Sequence, residues 1–476
     1  MNTSGLHLHC AVSSAVVCAS GPRVTVDCAD TTANAYTVRV HQDDMSLARA
    51  VGAPLAPVSA DLFDVAVAAM AADRLIPRPR TRFGRGPSPW RRRLDVTVPV
   101  REPGRWRSPE VAERLEDALS FLTEDEWRVR FVARRGERRP SEAQGHLFPA
   151  PSGPVRVALH SGGLDSLAGA AIDLAGHPQS DFILVSGVSS TRVGAVQRQL
   201  ARALATRTPR SVCHVAFRYG FAPVRGRIGL ERTQRTRGFL FTAIGAAAAL
   251  AAGTSKLFVY ENGVGALNLS YDGTQLGTSG TRATHPVALQ KMGRFVEALT
   301  GAPFSIENPF LAWTKAEMCA HPALDGLQRW LSTTVSCESY PVRRKGTPEC
   351  GACTSCILRR ESLAVGGRAS EDPAARYVRD VTSPEFGLET ARRRTAWDAM
   401  NRQADVLRAR LAAPDPWLAL TQEYPDLRRI EAELVSARLA SAATLRGQIL
   451  GLLARHVDQW SSFIGRACDC REDRAA

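Results

Sequence analysis

Two groups of residues in this 476-residue chain have the types and spacing to do chemistry. The first is Leu159-His160-Ser161-Gly162-Gly163-Leu164-Asp165-Ser166. Gly162 and Gly163 let the backbone take positive φ and approach an oxygen closely. Ser161 and Ser166 add hydroxyl donors. A run of N–H groups leading into a helix makes a cradle for an anion, because they point the same way and the helix dipole adds positive potential. Asp165 would repel a bare phosphate, so its carboxylate makes sense if a Mg²⁺ sits between it and the phosphates. The spacing is not that of the G-x-x-x-x-G-K-[ST] phosphate loop. The second group is Cys337 followed by Cys350-Gly351-Ala352-Cys353-Thr354-Ser355-Cys356. Two-residue spacings let three thiolates converge on one ion, and Cys337 supplies a fourth. Four cysteines without histidine suit a tetrahedral structural Zn²⁺. An iron–sulfur cluster is the competing reading, since C-x₂-C-x₂-C also occurs in ferredoxin-like sites.

The elements around these residues read as an alternation of strands and helices. Val155 to Leu159 is apolar at alternate positions, and Leu167 to Leu174 reads as a helix closed by Gly176 and Pro178. Phe182-Ile183-Leu184-Val185 is a continuous apolar run, expected of a strand covered on both faces. A helix over 193–204, a strand over 211–217, a helix over 239–252 and a strand over 256–260 follow. Such alternation implies an α/β fold with a parallel sheet between helices. Ligands then bind at the carboxyl ends of the strands. The residues there are the Ser161 loop, Ser186 and Gly187, Arg235, Glu261 and Asn262. A long loop rich in Gly and Thr ends in Thr281-Arg282-Ala283-Thr284-His285-Pro286. Arg235 reads either as neutralising an anionic ligand or as a solvated arginine at a helix start. Glu261 supplies a carboxylate that can accept from the N–H donors of a ligand. His285 reads as a general base or as a structural histidine before proline.

Residues 1–150 read as a separate α+β unit. Its strands lie around Val16, Val24 to Val26 and Tyr36 to Val40; its helices run over Asp61 to Ala72 and along Val111, Leu115, Leu119 and Leu122. Arg78, Arg80, Arg82, Arg85 and Arg91 to Arg93 form a basic stretch broken by proline, read as a solvated loop or a contact for an acidic partner. Arg134 to Pro154 reads as a linker. Residues 151–367 form the central unit. Residues 368–476 read as a helical, arginine-rich extension with stripes at Leu427, Ile430, Leu434 and Ala437 and at Ile449, Leu452, Leu453, His456 and Trp460, packed on the core or on a second subunit of a homodimer.

The formal charge is +14, from 61 basic and 47 acidic residues. Only Lys256, Lys291, Lys315 and Lys345 are lysines, a compositional bias toward arginine. A basic surface favours acidic partners; nucleotides fit, and nucleic acid is possible but not favoured. No stretch reaches the ~18 apolar residues of a transmembrane helix, and Phe239 to Gly253 reads as a buried core helix. The first twenty residues lack a positive leader. Eleven cysteines, four of them clustered, point to a reduced compartment and a metal site, hence the cytoplasm.

The run S-G-G-x-D-S at Ser161–Ser166 resembles the signature of the PP-loop ATP pyrophosphatases. That resemblance implies an adenine nucleotide alpha hydrolase-like, Rossmann-like fold, and cleavage of ATP between its α and β phosphates as a substrate oxygen is adenylated. It also implies ATP contacts at Ser161, Gly162, Gly163, Asp165 and Ser166, with Ser186 and Gly187 near adenine and ribose. Further runs are similar to the 7-cyano-7-deazaguanine synthase (QueC) family. They are Arg235-Thr236-Arg237-Gly238-Phe239-Leu240, with Thr236 where that family has asparagine; Pro309 with Lys315-Ala316-Glu317-Met318; Ser336-Cys337; and C-G-x-C-x-x-C before Arg359-Arg360. The resemblance spans about Val155 to Gly367. It implies ATP, Mg²⁺, a structural zinc knuckle and a 7-carboxy-7-deazaguanine substrate. Asp165, Arg235 and Lys315 would be catalytic, and Glu261, Asn262, Arg282 and His285 would meet the substrate. Residues 281–286 depart from the aspartate- and tyrosine-rich stretch of the family.

The flanking segments, roughly 150 and 110 residues, are each enough for a small domain. The plan is similar to QueC-like proteins of bacterial anti-phage defence clusters, the QatC type, which implies transfer of the activated carboxylate to an amine of a partner protein. Two alternatives remain open: free 7-cyano-7-deazaguanine synthesis, and a PP-loop tRNA-modifying enzyme.

Overall fold

The computed structural model describes residues 9–18, 21–29, 35–42, 44–76, 92–134, 138–143, 153–221, 231, 235–271, 281–338, 340, 348–383 and 391–473. Arg78, Arg80, Arg82, Arg85, Arg91 and most of the Gly/Thr-rich loop lie outside them. The chain begins with strands β1 (His9–Cys18), β2 (Gly21–Ala29) and β3 (Ala35–Gln42), then helices α1 (Met45–Val51) and α2 (Pro57–Leu75). Next come β4 (Arg93–Val100), α3 (Pro103–Trp106), α4 (Pro109–Thr123), β5 (Glu126–Ala133) and α5 (Pro140–Ala143). The central part runs β6 (Val155–Leu159), α6 (Leu164–Gly176), β7 (Asp181–Val188), α7 (Thr191–Ala205), β8 (Val212–Phe221), α8 (Thr236–Ala251) and β9 (Lys256–Phe258). It continues through α9 (Gly263–Leu267), α10 (Pro286–Thr300), β10 (Ser305–Glu307), α11 (Lys315–Ala320), α12 (Gln328–Leu331) and α13 (Thr354–Val365). Helices α14 (Ala391–Leu411), α15 (Pro416–Glu423), α16 (Asp426–Ser436) and α17 (Ala442–Asp473) end it.

The expected α/β architecture is present. Five parallel strands stand in the order β10-β9-β6-β7-β8. The register places Val157 beside Ile183 on one side and Leu257 on the other. β7 is buried at every position but Gly187, as a strand with helices on both faces must be. The chain builds outward from β6 to β7 and β8, then returns to place β9 on the other side of β6. That reversal opens a crevice between the carboxyl ends of β6 and β9.

The sheet does not stop at β8. Strand β3 pairs antiparallel with its end, Val40 opposite Phe221, and the order continues β3-β2-β1-β4-β5. The largest buried core joins α2 and α4 to α8 and α10, with Phe63 edge-on to Phe217 at 5.8 Å. The boundary expected near residue 150 therefore ends neither the sheet nor the core. Part of the expected linker is buried: Arg139, beside α5, is fully enclosed and bonded to Asp44 at 3.0 Å and Asp64 at 2.7 Å. Burial pushes the Asp64 carboxyl up, but Arg139 and Arg101 outweigh it and hold it down to about 2. Arg92, read with the basic stretch, is also internal, bonded to Asp73 and to Asp125 at 2.5 Å. Its acidic partners lie within the chain. Edge strand β5 alternates Trp127, Val129 and Phe131 inward with Glu126, Arg128 and Arg130 outward. Among the described residues no helix is long and apolar enough to cross a membrane.

Candidate functional site

The turn after β6 is built by its own second layer of side chains. Gly162 has φ +85°, a conformation only glycine takes without strain, and a Cβ there would press on Gln197 and Val196. Ser161 Oγ accepts from the Gly163 N–H at 3.2 Å. Ser166 Oγ accepts from the Ser161 N–H at 3.1 Å and lies 3.0 Å from His160 Nδ1. His160 Nε2 faces the Gln197 carbonyl at 3.3 Å, so Nε2 carries the proton and Nδ1 accepts from Ser166. Burial, with His214 adding to it, drops the His160 pKa to about 3, which keeps this neutral tautomer. Ser186 Oγ donates to the His160 carbonyl and so accepts from His214 Nε2 at 2.8 Å. Gln197 Nε2 donates to the Ser161 and Gly187 carbonyls, each at 3.2 Å.

These contacts amend the sequence reading. The Ser166 and Ser186 hydroxyls, expected on ATP, already serve the loop from beneath, and Ser186 is 1 % exposed. Gly187 lies where any Cβ would collide with the Phe241 ring. Ser161 is exposed, and the Asp165 side chain, 12 % exposed, turns to Lys315 and Asn262. His160, His214 and Gln197 were missed. His160 stood inside the motif, but nothing in its own type marks a residue as support rather than site.

Across the crevice, four side chains predicted from separate places in the sequence converge. Lys315 Nζ is 2.6 Å from Asp165 Oδ2. Asn262 Nδ2 donates to Asp165 Oδ1 at 2.9 Å and to Glu261 Oε1 at 2.8 Å. Each is held by its element. Asp165 is in the first turn of α6. Asn262 caps α9, accepting from the Gly265 N–H at 2.9 Å. Lys315 opens α11, where Thr314 and Glu317 form a capping box. Asn308, which sequence reasoning also missed, bonds the Glu261 backbone in both directions, donating to its carbonyl at 2.8 Å. Burial and the nearby Asp165 carboxylate push Glu261 up to about 8. Burial pulls the Lys315 pKa down, but Asp165 and Glu261 reverse it, so the ammonium stays charged. The cluster is a lysine ammonium paired with Asp165, with Asn262 linking that carboxylate to Glu261, at the mouth of the turn, a setting that could hold a polyphosphate and its counter-ion.

Three other expected residues lie elsewhere. Arg235 Nη1 donates to the Thr123 carbonyl at 3.2 Å and to Glu124 Oε2 at 3.1 Å, tying the start of α8 to the end of α4. Arg282 meets the same Glu124 at 3.3 Å, donates to the Phe121 carbonyl and stacks on the Phe121 ring at 4.9 Å. His285 caps α10, accepting from the Val287 N–H at 3.3 Å, and is 2 % exposed. Burial, aided by Arg282 and Arg429, drops its pKa to about 3. A buried, weakly basic cap fits the structural reading of His285, not the general base.

The Sγ atoms of Cys337, Cys350, Cys353 and Cys356 all lie within 4.8 Å of one another. Cys350 and Cys356 are 3.8 Å apart, the edge of about 3.8 Å that a tetrahedron with ~2.3 Å zinc–sulfur bonds requires. Cys350 and Ala352 N–H groups point at Cys337 and Cys350 sulfurs, both at 3.4 Å. Gly351, at φ +76°, makes the turn, and a Cβ there would strike the Arg379 carbonyl. Four sulfurs at this spacing fit a zinc knuckle. The segment leading into it reaches the cradle, since the Val335 N–H donates to the Gly162 carbonyl at 3.1 Å.

Residues 254–366, the stretch holding Glu261, Asn262, Lys315 and the four cysteines, match the family model of the queuosine biosynthesis protein QueC. The chain carries a QueC family domain. No curated protein matches the chain. The Ser161–Ser166 cradle lies upstream of the QueC domain and is joined to it by the Lys315–Asp165 pair, the Asn262–Asp165 bond and the Val335–Gly162 bond.

Proposed function

We propose that the chain is an AMP- and pyrophosphate-forming synthase acting on a 7-deazaguanine carboxylate. The observation that carries this reading is the meeting of Asp165, on the S-G-G-x-D-S turn, with Lys315 of the QueC domain at 2.6 Å. ATP would lie against the turn 161–166, on its backbone N–H groups other than those of Ser161 and Gly163, which already donate to Ser166 Oγ and Ser161 Oγ. The carboxylate oxygen of 7-carboxy-7-deazaguanine attacks the α-phosphorus and pyrophosphate leaves; a nitrogen nucleophile then attacks the acyl carbon and AMP leaves. Asp165 would hold the Mg²⁺, which supplies charge neutralisation on the phosphates when bound. Lys315 would neutralise the pentavalent phosphate, and Glu261 with Asn262 would orient the base. Cys337, Cys350, Cys353 and Cys356 would hold a structural Zn²⁺ that keeps Val335 against Gly162.

The acceptor we favour is an amine on a partner protein, as in the QatC-type defence proteins. Its support is the additional sheet and helices around the QueC domain, more than a small free nucleophile needs. The test supplies ATP and 7-carboxy-7-deazaguanine, then ammonia or a co-expressed neighbouring gene product. AMP and pyrophosphate are expected, with a mass increase on the protein partner. Asp165→Ala should lower the rate on the order of 100-fold. ADP and phosphate as products would reject adenylation. Nitrile formation with ammonia alone would move the acceptor from protein amine to ammonia.

A further inference from the structure

Helix α17, outside the QueC domain, grips the loop that presents Lys315. Arg455 Nε lies 2.6 Å from Glu317 Oε1, and its Nη2 donates to the Ala312 carbonyl at 2.7 Å. These two anchors bracket residues 313 and 314 and the start of α11. Glu317 also accepts from the Thr314 N–H through Oε2 at 2.7 Å, closing the capping box in which Lys315 is the first helical residue. On the other side the Gly263 N–H donates to the Trp313 carbonyl at 2.7 Å. Gly263 is packed so closely against Leu311 and Leu452 of α17 that a Cβ would stand 2.5 Å from the Leu452 methyl. Gly263 follows Asn262 directly. One turn of α17, Leu452 to Arg455, thus touches both segments that carry partners of Asp165.

We infer that Arg455 is a positioning residue: through Glu317 and the Ala312 carbonyl it sets where Lys315 meets Asp165, so α17 fixes the geometry of the site. The Arg455 side chain is 44 % exposed and that of Glu317 31 %. An exposed ion pair contributes little to stability, so the effect belongs to geometry rather than to folding. A guanidinium reaches a carboxylate and a carbonyl together, whereas a lysine ammonium reaches one of them well. A displacement near 1 Å at a reacting centre costs up to about 100-fold in rate.

The inference rests on the proposed role of Lys315, but its primary test does not need turnover. The chain has four lysines, so pulse acylation with acetic anhydride and mass spectrometry reads each one. In the unaltered chain Lys315, 7 % exposed and held charged by Asp165, should react at least ~10-fold more slowly than Lys256, 53 % exposed. Arg455→Ala should raise the Lys315 rate severalfold and leave Lys256 and Lys291 unchanged; Arg455→Lys should fall between. An unchanged Lys315 rate overturns the inference. If Lys291 also accelerates, the variant has unfolded, and Glu317→Gln reads the same contact from its other end, with the same expected and overturning results. In turnover, Arg455→Ala should lower kcat about 10-fold, hold KM for ATP within about 2-fold, and add no further loss on a Lys315→Met background. Additive losses would show that Arg455 acts elsewhere. A chain that forms no AMP removes the proposed function while the labelling result still decides the role of Arg455.

Discussion

At the scale of single residues, Glu261 gives a pH signature. In the unfolded chain its carboxyl ionises near the ordinary glutamate value; burial and Asp165 keep it protonated in the fold up to about pH 8. Between those two values unfolding releases a proton, so stability falls as pH rises and levels off above 8. Glu261→Gln should remove that slope: little change in the denaturant midpoint at pH 5, and a gain of the order of 1 kcal/mol at pH 9. Parallel midpoints for the two proteins at both pH values would contradict the assignment. The motif residues themselves were legible, because glycine at a positive φ and an acid at a helix start leave marks in the sequence. Arg235, Arg282 and His285 were not, because an arginine after a strand looks the same whether it faces a phosphate or Glu124. What separated them was the position of α4, which contributes Glu124 and the Phe121 ring from more than a hundred residues away.

At the scale of elements, the knuckle and the cradle behave as one assembly. The Val335–Gly162 bond carries the position of Cys337 into the turn after β6. Metal analysis should return one zinc per chain. Its removal by chelation should cost several kcal/mol of stability, on the order seen when a structural metal is lost, and should weaken nucleotide binding in step. Equal nucleotide affinity with and without metal would uncouple the two; iron in place of zinc would restore the cluster reading. The parallel strands were readable from alternation and apolar runs. Strands β4 and β5 and the buried Arg139 leave no pattern so clear in the sequence. Their charged residues resemble solvated sequence, yet Arg92, Arg101 and Arg139 are neutralised inside by Asp73, Asp125, Asp61, Asp64 and Glu142. Periodicity reports which faces are apolar and is silent about charges that find partners within the chain.

For the molecule as a whole, the antiparallel seam between β3 and β8 joins the N-terminal strands to the parallel sheet, and one core runs from α2 and α4 to α8 and α10. We therefore expect calorimetry to resolve a single transition for the sheet, since α2 cannot leave α8 without exposing the alanine-rich face both bury. Two separated transitions would mean that residues 1–150 fold on their own. The sheet ends at β5, with Glu126, Arg128 and Arg130 in its outward row; at its edge the Val129 N–H donates to Glu116 Oε1 and the Phe131 carbonyl accepts from Arg107 Nε, each at 2.8 Å. Charged side chains on a terminal strand discourage a stranger's strand from annealing there. With two of its edge-facing backbone groups taken by side chains of the same chain and a charged row beside them, β5 is a poor template for fibre-like growth.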